Sequence, residues 1–196
     1  MKIRNSVHED IDIILQFYAA ATDFQKSKAM VSWSRFDSQL IETEIRDKRQ
    51  WKMIVDNKIA CVWAITESDP QIWGERNSAP ALYLHRIAIN PTFRGRNLVF
   101  DIVAWAKIFA KERSLQYIRM DTVGENHGLI SHYKKCGFDF LGLSKLEDTV
   151  RLPAHYHKAT VSLFQMHVWG ITYSKVKKIL PSVSSFTFNV SILKAY

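Results

Sequence analysis

The sequence predicts an α/β fold in which one mixed sheet carries helices on its faces. Strand-like and helix-like periods alternate in the order β-α-α-β-β-β-α-β-α-β-β, and antiparallel hairpins precede a parallel crossover. A chain of 196 residues that is 47% hydrophobic and 12% aromatic can bury one sizeable core and is short for two. One main domain over residues 1–168 is expected, with 169–196 as a basic C-terminal extension.

Residues 2–7 read as a strand, and His8-Glu9-Asp10 opens a helix whose apolar residues Ile11, Ile14, Leu15, Tyr18 and Ala19 recur at helical spacing. Asp37 or Ser38 caps a second helix carrying Leu40, Ile41 and Ile45. Trp51–Val55 and Ile59–Ile65 flank Asp56-Asn57-Lys58, a hairpin signature. Residues 66–81 hold Asp69-Pro70, Gly74, Asn77-Ser78 and Pro80 without either period, so they read as a loop that would serve as a substrate lid.

Leu82–Ile89 is an apolar strand stopped by Pro91, and Leu98, Ile102, Trp105, Ala106 and Phe109 continue as an amphipathic helix. Tyr117–Val123 is a further strand, His127–Cys136 a helix ended by Gly137, and Phe138–Leu143 another strand. Ala159–Val168 supplies the last core strand. Beyond Gly170, Val176-Lys177-Lys178-Ile179 has helical spacing, and Phe186, Phe188, Val190 and Ile192 alternate as in an edge strand. Such a strand would pair with the sheet or meet a second subunit, forming a homodimer.

The 27 Lys+Arg against 19 Asp+Glu give a net charge of +8, which favours an anionic partner such as a phosphate-rich cofactor. Much of the excess lies in the tail, at Lys175, Lys177, Lys178 and Lys194. A basic nucleic-acid-binding module is the rival class, but no binding motif or aromatic-basic platform accompanies the charge, so nucleic acid is not expected. Cys61 and Cys136 lack both metal-ligand spacing and a disulfide framework, which points to a reducing cytoplasm. His155-x-His157 would give only two ligands, so no metal is expected. No export signal or membrane-spanning run is found.

Two segments carry the chemistry. In the first, Leu82–Val99, a buried strand ends in Arg94-Gly95-Arg96-Asn97 and a helix begins. Amides at a helix start are unpaired and the helix dipole favours an anion there, so this turn can hold phosphate. In the second, Asn126 stands where a helix begins, Tyr133 lies two turns later, and Gly137-Phe138 close the unit. The Gly-x-Gly-x-x-Gly fingerprint of dinucleotide binders is missing.

With these two motifs in this order, the sequence resembles the GNAT superfamily of N-acetyltransferases. The resemblance implies a mostly antiparallel mixed sheet with a splayed parallel pair, acetyl-CoA as co-substrate, and transfer of its acetyl group to a small-molecule or peptide amine. It implies that Ile87, Ala88 and Ile89 pair with the pantetheine arm as an added strand would. Main-chain groups of Arg94, Gly95, Arg96, Asn97, Leu98 and Val99 would cradle the pyrophosphate, and Asn126 would join the cofactor site. The chain departs from the pattern at Asn97, where glycine is usual, and at Val99, where glycine or alanine is usual. Weaker or displaced CoA binding is therefore expected, with a catalytically weak CoA-binding or regulatory protein as the alternative.

By the same resemblance, Tyr133 is the acid that protonates the departing thiolate, since a phenol with a pKa of about 10 is loaded at neutral pH. A main-chain N–H near Ile87 or Ala88 would hold the oxyanion. His85, Asp121 and the His155/His157 pair are the candidates for the base, with a water relay beside them. Phe24, Trp33, Phe36 and Trp73, with Glu67 and Asp69, are candidate walls of an amine pocket.

Overall fold

A computed structural model describes residues 1–169 and gives the expected elements in order, with one short helix added between the third and fourth strands. These are β1 (Lys2–Asn5), α1 (Ile11–Ser27), α2 (Ser38–Arg46), β2 (Gln50–Val55), β3 (Lys58–Thr66), α3 (Pro70–Trp73), β4 (Ala81–Ile89), α4 (Leu98–Glu112), β5 (Tyr117–Val123), α5 (His127–Lys135), β6 (Asp139–Lys145) and β7 (Thr160–His167). They form one seven-stranded sheet in the order β1-β2-β3-β4-β5-β7-β6. Every neighbouring pair is antiparallel except β4 and β5.

Local chemistry accounts for the early elements. The β2–β3 turn places Asp56 and Asn57 at φ 50 and φ 59, the left-handed angles a two-residue hairpin needs and these residue types tolerate. Helix α2 starts where the Asp37 carboxylate accepts the Leu40 amide at 2.8 Å. Helix α1 buries Ile11, Ile14, Phe17 and Tyr18 on one stripe. Its start is tied down by Asp10, which pairs with Lys52 of β2 and accepts the Val7 amide at 2.7 Å.

The strand pleat then sends alternate residues to opposite faces. Cys61, Trp63 and Ile65 of β3 pack with α4 and α5, while Val62 and Ala88 pack with α1 and α2. Helices therefore cover both faces of the sheet. Trp63 is fully buried and meets Trp105 at a ring separation of 5.1 Å.

Residues 66–81 differ from the expected open loop. Pro70–Trp73 closes one helical turn and Gly74–Ser78 a 3-10 turn. Ile72 and Trp73 are buried with Tyr83 and Leu163, and this packing supplies the order that so short a segment cannot show as periodicity. The expected tail helix and edge strand lie outside the described residues. Among the described residues no helix is long and apolar enough to cross a membrane.

Candidate active site

The site is a gap in the sheet. Strands β4 and β5 pair only at Ala81↔Tyr117, Leu82↔Ile118 and Tyr83↔Arg119, then part. On its other side β4 carries one residue more than β3 between Val62↔Ala88 and Ala64↔His85, and Arg86 takes φ 49 within this bulge. A cavity of about 660 Å³ fills the divergence, with His85, Ile87 and Ile89 on one flank and Met120, Asp121 and Thr122 on the other. Main-chain groups of β4 that face the gap have no β5 partner and can pair with an extended ligand. Of the three residues expected along the pantetheine arm, Ile87 and Ile89 line the cavity. Ala88 turns to the opposite face, against α1.

One end of the cavity is the start of α4. After β4, the Asn90 side-chain oxygen accepts the Thr92 amide at 3.1 Å and Pro91–Phe93 forms a 3-10 turn that buries Phe93. Gly95 then takes φ 81, with no atom within 4 Å of where a Cβ would stand, and Asn97 takes φ 55. Both residues thus adopt left-handed angles, glycine at no steric cost and asparagine at little. No side chain caps α4, whereas Asp37 caps α2 and Asn126 caps α5. The uncapped amides of a fifteen-residue helix remain for an anion.

Around that opening, Arg94 lies over the Phe24 ring at 4.5 Å and donates to the Ala20 carbonyl at 3.3 Å. Arg96 lies over Phe93 at 4.8 Å. Arg94, Gly95 and Val99 line the cavity; Arg96 and Asn97 are exposed beside it, and Leu98 is in the core. Val99 is 6% exposed and packs into the same core while also lining the cavity. Asn126 is not part of the lining: its side-chain oxygen accepts the Leu129 amide at 3.0 Å, which positions α5.

Tyr133 of α5 reaches the cavity from below the gap, with its ring 5.2 Å from Phe164 and 6.3 Å from Phe138. Burial pushes its phenol up, and Cys136 and Asp121 add to the effect, so it stays protonated through the physiological range. Opposite stand three groups from three elements, Asp69, His85 and Asp121, each offering one polar atom within 4.8 Å of the others. Asp121 accepts the Tyr156 hydroxyl at 2.9 Å. Burial raises Asp69 to about 6; burial and then the neighbouring Asp69 raise Asp121 to about 7.

His85 Nε2 lies 3.7 Å from Asp69 Oδ2, a distance at which an imidazolium would form an ion pair. Burial, then Arg86 and Arg49, lower His85 to about 3, so the ring is neutral at pH 7 and neutralises neither carboxylate. At that length the contact is not a hydrogen bond either.

The far wall holds Trp33, Phe36 and His155, whose Nδ1 is 3.1 Å from the Ser34 hydroxyl. His157 instead points to the Leu152 carbonyl at 3.1 Å, so the two histidines have separate partners. Arg86 pairs with Glu44, which also lies 3.9 Å from Arg49. Phe24, Trp33, Phe36 and Asp69 line the cavity as expected, but two residues do not. Trp73 is buried against Tyr83 and Arg119, and Glu67 is exposed beside Arg113 at 3.7 Å. The Tyr156–Asp121 and Arg86–Glu44 pairs join residues 35 and 42 positions apart, which no local spacing announces.

Residues 18–138, from α1 through the splayed pair to the end of α5, match the model of the Acetyltransferase (GNAT) family. The chain belongs to the GNAT acetyltransferase family. The "Uncharacterized N-acetyltransferase YesJ" of Bacillus subtilis (strain 168) is 25% identical over 145 residues, covering 70% of this chain and 81% of that protein. A GNAT-family acetyltransferase from Listeria monocytogenes 4b F2365 shares the fold with a TM-score of 0.67 at 22% identity, over 85% of this chain and 94% of the other. The yncA protein of Salmonella typhimurium, solved with its cofactor acetyl-CoA, gives a TM-score of 0.63 at 11% identity, over 88% and 96%.

As a GNAT protein the chain is an acyltransferase, and the family's acyl donor is acetyl-CoA. What the GNAT fold presents here fits that donor: an uncapped helix start with open space at Gly95 for phosphates, and an unpaired strand flank for an amide-bearing arm.

Proposed function

We propose that this GNAT enzyme transfers an acetyl group from acetyl-CoA to a primary amine by direct attack in a ternary complex. The observation that carries the reading is the single cavity in the β4–β5 gap, which joins the α4 start, Tyr133 and a carboxylate pair. Amide formation from a thioester needs an anion site for the donor, stabilisation of the carbonyl oxygen, a proton for sulfur and a base for nitrogen. The donor supplies a reactive acyl carbon when bound; the chain supplies the rest.

The amides at the start of α4, with Arg94 and Arg96, hold the phosphates. The free edge of β4 at Ile87 and Ile89 orients the arm, and an N–H of the bulge near Ile87 or Ala88 faces the oxygen that gains charge. Tyr133 gives its proton to sulfur. Of the candidate bases, Asp121 suits the task; His85, lowered to about 3, and His155, lowered by burial to about 4, are too weak as proton acceptors near neutrality, and His157 is turned to the Leu152 carbonyl. His85 acts as a neutral wall. The two cysteines are free and buried, which supports a cytoplasmic setting.

The test is release of CoA thiol from acetyl-CoA, followed across a panel of primary amines from pH 5 to 9. Acetylated amine should form in equal amount, and kcat/KM should rise with pH between about 6 and 7, because the carboxylates must lose their protons before they can accept one. Thiol release that no amine accelerates would contradict the reading.

A further inference from the structure

We infer that Asp69 docks the acceptor as a primary ammonium ion and removes the proton that makes it a nucleophile. This rests on the acetyltransferase reading above and assigns the residue that selects the acceptor's charge.

Asp69 is 9% exposed, and its Oδ2 is buried without a hydrogen-bond partner. It stands at the N-cap of α3, where the Ile72 amide favours its charged form, but no side-chain capping bond of full geometry forms and Oδ2 is left without a donor. Its placement is nonetheless fixed. The Asp69 amide donates to Asn77 Oδ1 at 2.7 Å, which also accepts the Tyr83 hydroxyl at 2.9 Å. That hydroxyl in turn accepts from Arg119 Nη1 at 2.9 Å. Arg119 is itself held by Gln165 Oε1 at 2.9 Å and the Arg76 carbonyl at 2.6 Å. A network spanning the 3-10 turn, β4, β5 and β7 thus holds this segment with the Asp69 carboxylate at the cavity wall.

A buried carboxylate oxygen without a partner is costly unless a cation or donor meets it. The titratable groups facing it are His85 and Tyr83 from β4, Asp121 from β5 and Tyr156 from the turn before β7, with Arg86 and Arg49 acting on His85 from behind. His85 is neutral, and among the described residues no lysine or arginine lies within ion-pair distance of Asp69. Since neither a cation nor a hydrogen-bond donor of the described residues meets Oδ2, its partner comes through the cavity, and the amine that the reaction requires there supplies one as an ammonium ion.

The protons balance over the two carboxylates. The ammonium gives one proton to Asp69, which passes it to solvent. The freed lone pair forms the C–N bond as the C–S bond breaks, and the thiolate takes the phenol proton of Tyr133. Nitrogen's second excess proton passes to Asp121 and restores the phenol. Burial makes the first step feasible from both sides, because it weakens an ammonium's hold on its proton while strengthening a carboxylate's.

The experiment compares wild type, Asp69→Asn and Asp69→Glu on two acceptors: an alkylamine protonated at pH 7 and an alkoxyamine that is neutral there. For Asp69→Asn, kcat/KM on the alkylamine should fall about 100-fold, and its pH rise should reduce to that of Asp121 alone, moved to lower pH because the Asp69 charge no longer raises it. The alkoxyamine rate should change less than about threefold, acetyl-CoA affinity should hold, and Asp69→Glu should recover part of the loss. Equal losses on both acceptors with intact acetyl-CoA binding would overturn the inference, as would no loss on either. A wild-type rate that collapses on chelation would also overturn it, by showing a metal ion as the partner of the cluster. Failure of wild type to bind acetyl-CoA at all would instead overturn the transferase reading beneath it.

Discussion

Replacing Tyr133 with phenylalanine is expected to lower kcat about 100-fold while leaving the Kd of acetyl-CoA within about twofold. The ring that phenylalanine keeps is the part that packs on Phe164 and Phe138, so the fold should tolerate the change. What it loses is the hydroxyl proton facing the cavity. Because burial pushes this phenol up, wild type should show no decline in kcat attributable to Tyr133 as pH approaches 9. A Tyr133→Phe enzyme with wild-type kcat would show that water protonates the sulfur and that the tyrosine serves packing alone. Thiol-release kinetics beside calorimetric binding separate the two outcomes.

The largest effect on stability is expected at Asp10 and Lys52. Asp10 is 7% exposed and Lys52 3%, and their side chains pair where the start of α1 meets β2. Asp10→Ala leaves an ammonium in the interior without its partner and also frees the Val7 amide, so a loss of about 3 to 5 kcal/mol is expected in urea unfolding. The double change Asp10→Leu with Lys52→Met should recover most of that loss, because two apolar side chains remove both the charge and its partner. A single-variant loss below about 0.5 kcal/mol would mean that water reaches the pair. The effect bears on function, since Ala21 and Phe24 of α1 line the cavity and a loosened helix should raise KM for the acceptor.

The parts of this molecule legible in its sequence are those whose cause is local. Asp56-Asn57 announces a hairpin because both residues tolerate left-handed angles, and the structure gives them those angles. Asp37 announces a helix start because its carboxylate reaches an amide three residues on. The Arg94–Val99 turn could be found because strand, turn and helix are contiguous. Helix α3 could not: four residues show no period, and the order comes from Ile72 and Trp73 packing under Tyr83. That same turn carries Trp73 into the core, which is why an aromatic residue suited to a pocket wall lies outside it.

The site's acid–base groups show the same division. Asp69, His85 and Asp121 lie 16 and 36 residues apart in the chain, on the α3 turn, β4 and β5, so only the tertiary fold brings them together. His85 looks like a base by residue type. Its burial beside Arg86 and Arg49 makes it a poor one, and neither neighbour's effect can be read from a linear sequence. Asp121 acquires its raised proton affinity from burial and from Asp69, a partner supplied by a segment that reads as a loop.

Titration of the purified chain with acetyl-CoA by calorimetry is the decisive measurement, because the splayed strands, the uncapped α4 and the left-handed Gly95 and Asn97 converge on donor binding. One site per chain with a micromolar Kd is expected, CoA binding comparably and ATP much more weakly. No heat of binding with millimolar acetyl-CoA would contradict it.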